Sequence, residues 1–217
     1  MARPEIVELL DELGFSRGCI VETLVATRNS DGSPNAAPMG VTRTGSDLLE
    51  IKPFKSSATY RNLLSRRDAC VNVTADPELF LVTAFKHDPL SGFKPVHIDE
   101  DLSLGPADGS VFVETLSGHD ISNRGCFICR AHSIDIHRPL PTVFSRGRAG
   151  AIEGVVHATR IKAFILEGRY EDVEKLNRKF NECKGVVERV SAPESVEVRV
   201  VRALETLIGN WREGASR

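Results

Sequence analysis

The stretch from Glu22 to Leu64 most constrains the fold, because strand and turn signals alternate along it before one short helix. Asp31-Gly32 is a strong signal for a hairpin turn, and β-branched residues are frequent before it. Pro38 suits an edge strand or a bulge, since proline cannot donate to a strand ladder. The predicted elements are strands over Cys19–Thr27, Asn35–Thr44 and Leu48–Phe54 and a helix over Ser57–Arg66.

The predicted helix opens with the sequence Lys55-Ser56-Ser57-Ala58-Thr59. Exposed N–H groups and the helix dipole favour an anion at a helix N-terminus, and hydroxyls and an ammonium add donors. An ordinary capped helix also begins with Ser or Thr. The strand pattern before the helix favours a phosphate site over a simple cap. Tyr60, Leu63 and Leu64 are expected on the inner face of this helix.

The rest of the chain changes character near Pro141, from strands to helices. Strands followed by helices predict an α+β protein, with residues 1–145 as a barrel domain and 146–217 as a helical region packed on the barrel or on a dimer interface. A long loop is expected over Lys86–Gly109, where prolines and glycines recur without periodicity. Further predicted elements are helices over Pro4–Leu13, Glu78–Ala84, Ala149–Leu166 and Glu171–Glu188, and strands over Ala69–Thr74, Val111–Leu116 and Cys126–His137. A last helix is predicted after the cap Ser191-Ala192-Pro193-Glu194 and runs to about Trp211.

Composition excludes several classes of function. The chain has 217 residues with a formal net charge of -2, so nothing attracts it broadly to nucleic acid or to an anionic membrane. Its apolar runs are too short to span a bilayer, and its first residues lack the apolar core of a signal peptide. A cytoplasmic location is therefore expected. The odd count of 5 cysteines argues against a disulfide framework.

Two groups of residues leave alternatives open. Cys126-x-x-Cys129 suggests half a zinc site or a redox pair, but residues three apart on a strand point to opposite faces, which favours two half-buried thiols. His132 and His137 flank a strand, where either is a candidate proton donor or a hydrogen-bonded structural residue.

Two segments carry a family resemblance. Glu22-Thr23-Leu24-Val25, followed by Asp31-Gly32-Ser33-Pro34-Asn35-Ala36-Ala37-Pro38-Met39-Gly40-Val41, resembles an uncharacterised prokaryotic family of FMN-binding split-barrel proteins. The stretch from Arg146 to Arg160 resembles that family's helical tail. The wider superfamily includes flavin reductases and pyridoxamine phosphate oxidases. The resemblance covers most of the chain and is weakest from His87 to Gly109.

The resemblance implies an FMN cofactor and a homodimer with FMN near the interface. Met39, Gly40 and Val41 would then lie along the isoalloxazine ring, and Thr23 would support the ring edge. The residues implied for the FMN phosphate are Lys55, Ser57, Thr59 and Asn62. Some relatives use arginine where this chain has Lys55, which keeps the charge but not the bidentate geometry.

The function implied is a flavoprotein oxidoreductase that takes hydride or electrons from a nicotinamide or deazaflavin donor and passes them to a small acceptor. A pterin or a second flavin under the loop from His87 to Gly109 is one candidate. Two alternatives are a non-catalytic flavin carrier or redox sensor, and an interaction protein with a vestigial barrel. No side chain identifies the donor or the acceptor, and whether the chain is an enzyme stays open.

Overall fold

The computed structural model describes residues 3–15, 17–18, 20–138 and 145–215, in which six strands and six helices form two compact units. The barrel unit spans residues 1–74 and 96–140, and the helical unit spans 75–95 and 141–217. The barrel unit contains α1 (Pro4–Glu12), β1 (Ile20–Arg28), β2 (Pro34–Arg43), β3 (Leu48–Ile51), α2 (Ala58–Ser65), β4 (Asp68–Val73), β5 (Gly109–Ile121) and β6 (Arg124–Ile136). The helical unit contains α3 (Pro77–Ala84), α4 (Arg146–Leu166), α5 (Tyr170–Val190) and α6 (Val196–Ala215).

The six strands close into an antiparallel barrel in the order β1-β2-β3-β6-β5-β4. Because side chains alternate between the two faces of a strand, one set from every strand fills the interior. Ile6 and Leu10 of α1 belong to the same apolar core as Val25, Val71 and Phe127. The predicted α+β class, a split barrel followed by helices, is confirmed.

Local signals mark several element boundaries where the sequence predicts them. Gly32 has φ +87° in the β1–β2 turn, and Gly14 has φ +87° just beyond α1, a conformation that L side chains rarely adopt. The Asp31 carboxylate accepts the Ser33 N–H at 2.9 Å, which stabilises the same turn. Asp76 caps α3 by accepting the Glu78 N–H at 2.9 Å.

Apolar faces of its helices hold the helical unit together. Buried residues on these faces include Val155, Ala158, Ile161, Phe180 and Leu204. Asp88, in the segment after α3, adds a polar link between α4 and α6. Its carboxylate lies 2.6 Å from the Lys162 Nζ and accepts the Trp211 Nε1–H at 3.3 Å. No helix in the described part of the chain is both long and apolar enough to cross a membrane.

Several elements differ from prediction, among them β5, β3 and α2. β5 runs over 13 residues, Gly109–Ile121, instead of the predicted Val111–Leu116. The second half of the strand is exposed and polar, and pairing with β6, instead of burial, holds it in the sheet. β3 ends at Ile51 instead of Phe54. Leu64 was expected to face inward and is 61% exposed, because Thr59, Asn62 and Leu63 occupy the inner face of α2.

Some of the sequence predictions concern residues that the structure does not describe. Cys19 as the start of β1, and Pro139-Leu140-Pro141 as the end of β6, lie outside the described residues. The loop predicted between α3 and β5 is described, and between Ala84 and Gly109 it contains neither helix nor strand.

Candidate functional site

Strand pairing in the barrel is interrupted along one side of β2. Although β2 begins at Pro34, it pairs with β3 only over Val41–Arg43. The segment 52–57 leaves β2 and follows β6 instead, with the Gly125 N–H donating to the Pro53 carbonyl at 2.9 Å and the Lys55 N–H donating to the Asn123 carbonyl at 3.0 Å. One edge of β2, from Pro34 to Gly40, therefore pairs with no other strand within the described residues, and α2 begins across this opening.

Two of the three ring residues predicted on β2 lie on this free edge. Met39 and Gly40 precede the part of β2 that β3 covers, so alternate backbone groups there are open to a ligand. Val41 pairs with strands on both sides, and its side chain is fully buried in the barrel core. Thr23 is also buried, and its Oγ1 donates to the Met39 carbonyl at 3.0 Å. Thr23 therefore positions Met39 instead of reaching the opening itself.

The start of α2 presents hydrogen-bond donors to the opening. Ser57 is the N-cap, because its Oγ accepts the Tyr60 N–H at 3.2 Å while donating to the Phe54 carbonyl at 2.7 Å. The next two N–H groups, of Ala58 and Thr59, have no acceptor among the described residues. Two backbone donors at the positive end of a helix dipole thus remain for an anion.

The side chains of Thr59 and Asn62 point the other way, into a buried polar network. Asn62 Nδ2 donates to Thr27 Oγ1 and to Asn29 Oδ1, both at 2.9 Å. Asn35 Nδ2 donates to Thr27 Oγ1 at 3.2 Å and lies 3.4 Å from Thr59 Oγ1. These side chains hold α2 on the barrel. Of the four residues predicted for the phosphate, the structure brings Lys55 and Ser57 to the opening and uses the side chains of Thr59 and Asn62 beneath it.

Asp120, near the end of β5, also belongs to this site. Its Oδ2 lies 2.8 Å from the Lys55 Nζ, and its Oδ1 accepts the Tyr60 hydroxyl at 2.9 Å. The Lys55 and Tyr60 donors hold the pKa of the Asp120 carboxyl below its usual value. The hydrogen bond between Tyr60 and Asp120 in turn raises the pKa of Tyr60. Asp120 does not stand out in the sequence, because only the pairing of β5 with β6 brings it to Lys55, 65 positions earlier.

This donor set fits a phosphate monoester. Lys55 and Tyr60 already bind an oxyanion, the Asp120 carboxylate, and two free helix N–H groups lie beside them. Phosphate presents three acceptor oxygens with more charge than a carboxylate, which matches an ammonium combined with backbone donors. The arrangement can hold a small molecule by its phosphate at α2 while the rest of that molecule extends along β2.

The predicted thiols lie on opposite faces of β6. Cys129 is in the barrel core, where burial raises the pKa of its thiol to about 11. Cys126 lies on the outer face of the barrel, where it is only 2% exposed. It donates its S–H to Glu50 Oε2 at 3.1 Å, while Lys52 Nζ lies 2.6 Å from Glu50 Oε1. Both thiols are therefore buried, and not half-buried as the sequence suggests, because neighbouring side chains cover the outer face as well. No cluster of metal-ligating side chains is found within residues 3–15, 17–18, 20–138 and 145–215.

The two candidate histidines lie toward the far end of β6 from Arg124. His137 follows the last residue of the strand, and its Nε2 lies 3.1 Å from the fully buried Ser110 hydroxyl. At the rise of a β-strand, the 13 steps from Arg124 to His137 span roughly 40 Å along the chain, and the eight steps from Arg124 to His132 span roughly 25 Å. Neither histidine is therefore brought to the opening by α2.

Comparison with known proteins agrees with this architecture. Residues 21–128 match the family described as protein of unknown function (DUF447), N-terminal domain. The crystal structure of an FMN-bound protein from Methanosarcina mazei, described with the same family name, superposes with a TM-score of 0.71 at 23% identity, over 91% of this chain and 98% of that one. That similarity establishes a shared fold along nearly the whole chain.

Two other structures are more distant. An FMN-binding protein from Thermus thermophilus with bound p-hydroxybenzaldehyde has a TM-score of 0.44 at 18% identity, over 56% of this chain and 74% of that one. The styrene monooxygenase flavin reductase from Pseudomonas putida S12 has a TM-score of 0.46 at 12% identity, over 57% of this chain and 93% of that one. Both similarities are too weak to bear on the site. Through the barrel residues 21–128, the chain belongs to the DUF447 family of split-barrel proteins.

Proposed function

We propose that this chain binds FMN, with the phosphate at the start of α2 and the ring along the free edge of β2, and acts as a flavin-dependent oxidoreductase. The observation that carries the proposal is the opening between β2 and the segment 52–57, with anion donors at one end and, at Met39 and Gly40, a stretch of β2 that no strand of the described residues covers. The shared fold with an FMN-bound protein supports it.

The phosphate would be held by one full charge and several neutral donors. The Lys55 ammonium supplies the charge, and the N–H groups of Ala58 and Thr59 point along the helix axis. The Ser57 hydroxyl would add a side-chain donor by turning its proton from the Phe54 carbonyl to the phosphate. A lysine is a point charge rather than a planar fork, so the helix N–H groups must fix the orientation of the phosphate.

The ring would lie where β2 is free of β3. Thr23 fixes the carbonyl of Met39 by donating to it, so that the adjacent backbone groups keep their direction. A Cβ at position 40 would lie 2.9 Å from Ile20 Cγ2, so Gly40 leaves room for the exposed Ile20 side chain of β1. Bound FMN supplies reversible electron transfer, and the protein supplies its binding, orientation and surroundings. The nicotinamide or deazaflavin donor, the acceptor, and association into a homodimer stay predictions.

The test compares FMN with riboflavin, which has the same ring and no phosphate. Flavin-free protein is titrated with each flavin, and binding is followed by flavin fluorescence. We expect Lys55→Gln to weaken FMN binding by about tenfold or more, because a charge-assisted contact is lost, and to leave riboflavin binding unchanged. Lys52→Gln is the matched control, since Lys52 has its own carboxylate partner in Glu50 on β3. Equal FMN affinity in the wild type and in Lys55→Gln would contradict the phosphate assignment.

A further inference from the structure

The Lys55 ammonium of the proposed phosphate site is already paired with an acidic side chain, that of Asp120. The Asp120 carboxylate bridges the Lys55 ammonium, at 2.8 Å, and the Tyr60 hydroxyl, at 2.9 Å. A site built only to hold a dianion gains nothing from a carboxylate there, because like charges repel at this range.

We propose that Asp120 is a specificity-determining residue of the flavin site: its carboxylate competes with the FMN phosphate for Lys55 and Tyr60, and so reduces the preference of the site for FMN over riboflavin. The inference rests on the proposed function and concerns which flavins that site accepts. In the absence of phosphate, Asp120 neutralises Lys55, so a flavin without phosphate leaves no unpaired ammonium behind.

The surroundings allow the side chain to move while the strand stays in place. The side chain of Asp120 is 51% exposed, so it can rotate into water when phosphate arrives. The backbone beside it is anchored, because Arg124 stacks on the Phe54 ring at 3.9 Å and donates to the Lys52 carbonyl at 2.9 Å. Displacement therefore needs a change of rotamer and not a change of fold.

The exposure of the Asp120 side chain also limits how strongly its carboxylate can change the affinity for FMN. Exposed ion pairs contribute little because water and salt screen them, and the displaced carboxylate still lies close to the phosphate. Neutralising Asp120 should therefore tighten FMN binding by about three- to tenfold, with no matching gain for riboflavin. The quantity that reports the competition is the ratio of the riboflavin Kd to the FMN Kd.

The experiment measures both Kd values for the wild type and for Asp120→Asn by fluorescence titration at fixed low ionic strength. Glu114→Gln is the matched control: Glu114 lies on the same strand, is also 51% exposed, and pairs with Arg67 at 3.6 Å away from the site. We expect the Kd ratio to rise in Asp120→Asn alone. Thermal unfolding of each variant verifies that it folds.

Each other outcome overturns the inference in a recognisable way. A fall in FMN affinity in Asp120→Asn would mean that Asp120 positions Lys55 for phosphate instead of competing with it. Equal changes for both flavins, or an equal rise in Glu114→Gln, would assign the effect to the fold or to overall charge. An unchanged ratio of the riboflavin Kd to the FMN Kd would mean that Asp120 does not affect which flavin the site prefers. Wild-type protein that binds neither flavin would show that the proposed function itself is wrong.

Discussion

At the scale of single residues, the side chains around α2 separate into ones that face the opening and ones that fix the helix. Asn62 is 6% exposed and joins α2 to β1 through Thr27 and to the following turn through Asn29. A buried amide whose donors are hydrogen-bonded contributes modestly to folding stability, but its removal costs more, because it leaves buried partners unpaired. The hydroxyl and amide residues that suggest phosphate binding in the sequence therefore have a structural part as well.

We predict that Asn62→Ala lowers the free energy of unfolding by about 1–3 kcal/mol, because buried acceptors lose their donor. Leu64→Ala on the same helix is the control, since Leu64 is 61% exposed and its truncation should change stability by less than about 0.5 kcal/mol. Urea unfolding of both variants measures the difference. Equal loss in the two variants would refute a structural role for the network.

Cys126 is a second residue whose chemistry is set by its neighbours. Burial raises the pKa of this thiol, the hydrogen bond and charge of Glu50 raise it further, and Lys52 opposes them. The thiol is therefore protonated at neutral pH and a poor nucleophile.

Glu50→Gln removes the neighbouring negative charge, so the pKa of Cys126 should fall and more thiolate should be present at pH 8. We predict that iodoacetamide then alkylates Cys126 about two- to tenfold faster, measured peptide by peptide with mass spectrometry. Cys129, in the barrel core, should stay unlabelled in both proteins. Faster labelling of Cys129 would reveal a loosened barrel, and an unchanged rate at Cys126 would count against the electrostatic explanation.

At the scale of elements, one asparagine of β4 holds the loop that precedes β5. Asn72 is fully buried, and its Oδ1 accepts the Leu104 N–H and the Ser110 hydroxyl, each at 2.9 Å. Its Nδ2 donates to the Leu102 carbonyl at 3.2 Å. Leu102 has φ +73°, a strained conformation for this residue, and the hydrogen bonds from Asn72 fix the backbone around it.

We predict that Asn72→Ala frees this loop, because buried backbone groups of Leu102 and Leu104 lose their partner. The expected result is a loss of about 2–4 kcal/mol in unfolding free energy and faster proteolysis within residues 96–108. Asn123→Ala, at an exposed asparagine in the β5–β6 turn, serves as the control. Unchanged cleavage of the loop in Asn72→Ala would contradict this role.

The sequence predicts element boundaries well where neighbouring residues along the chain determine them. The Asp31-Gly32 turn, the end of α1 at Gly14 and the cap at Asp76 each depend on residues that are adjacent along the chain. The ends of β3 and β5 depend on which strand lies alongside, and a single sequence does not show that. Hydrophobic periodicity also misplaced Leu64, because polar residues with buried partners took the inner face of α2.

At the scale of the whole molecule, the site is a product of barrel topology. Lys55 and Ser57 were identified from a local motif, and Met39 and Gly40 from a family resemblance, but their common opening exists because β3 leaves β2 after three paired positions. Asp120 reaches the same place through the long pairing of β5 with β6. Long-range strand pairing therefore assembles a site whose individual residues only partly stand out in the sequence.

The most direct test of flavin binding is the visible absorbance spectrum of the purified protein, before and after addition of FMN, with chromatography of any released ligand. The account predicts a flavin spectrum, perturbed from that of free FMN, with FMN as the ligand released on denaturation. Protein that is colourless as purified and leaves the spectrum of added FMN unchanged would contradict it. The start of α2 would then be a capped helix or a site for another phosphate.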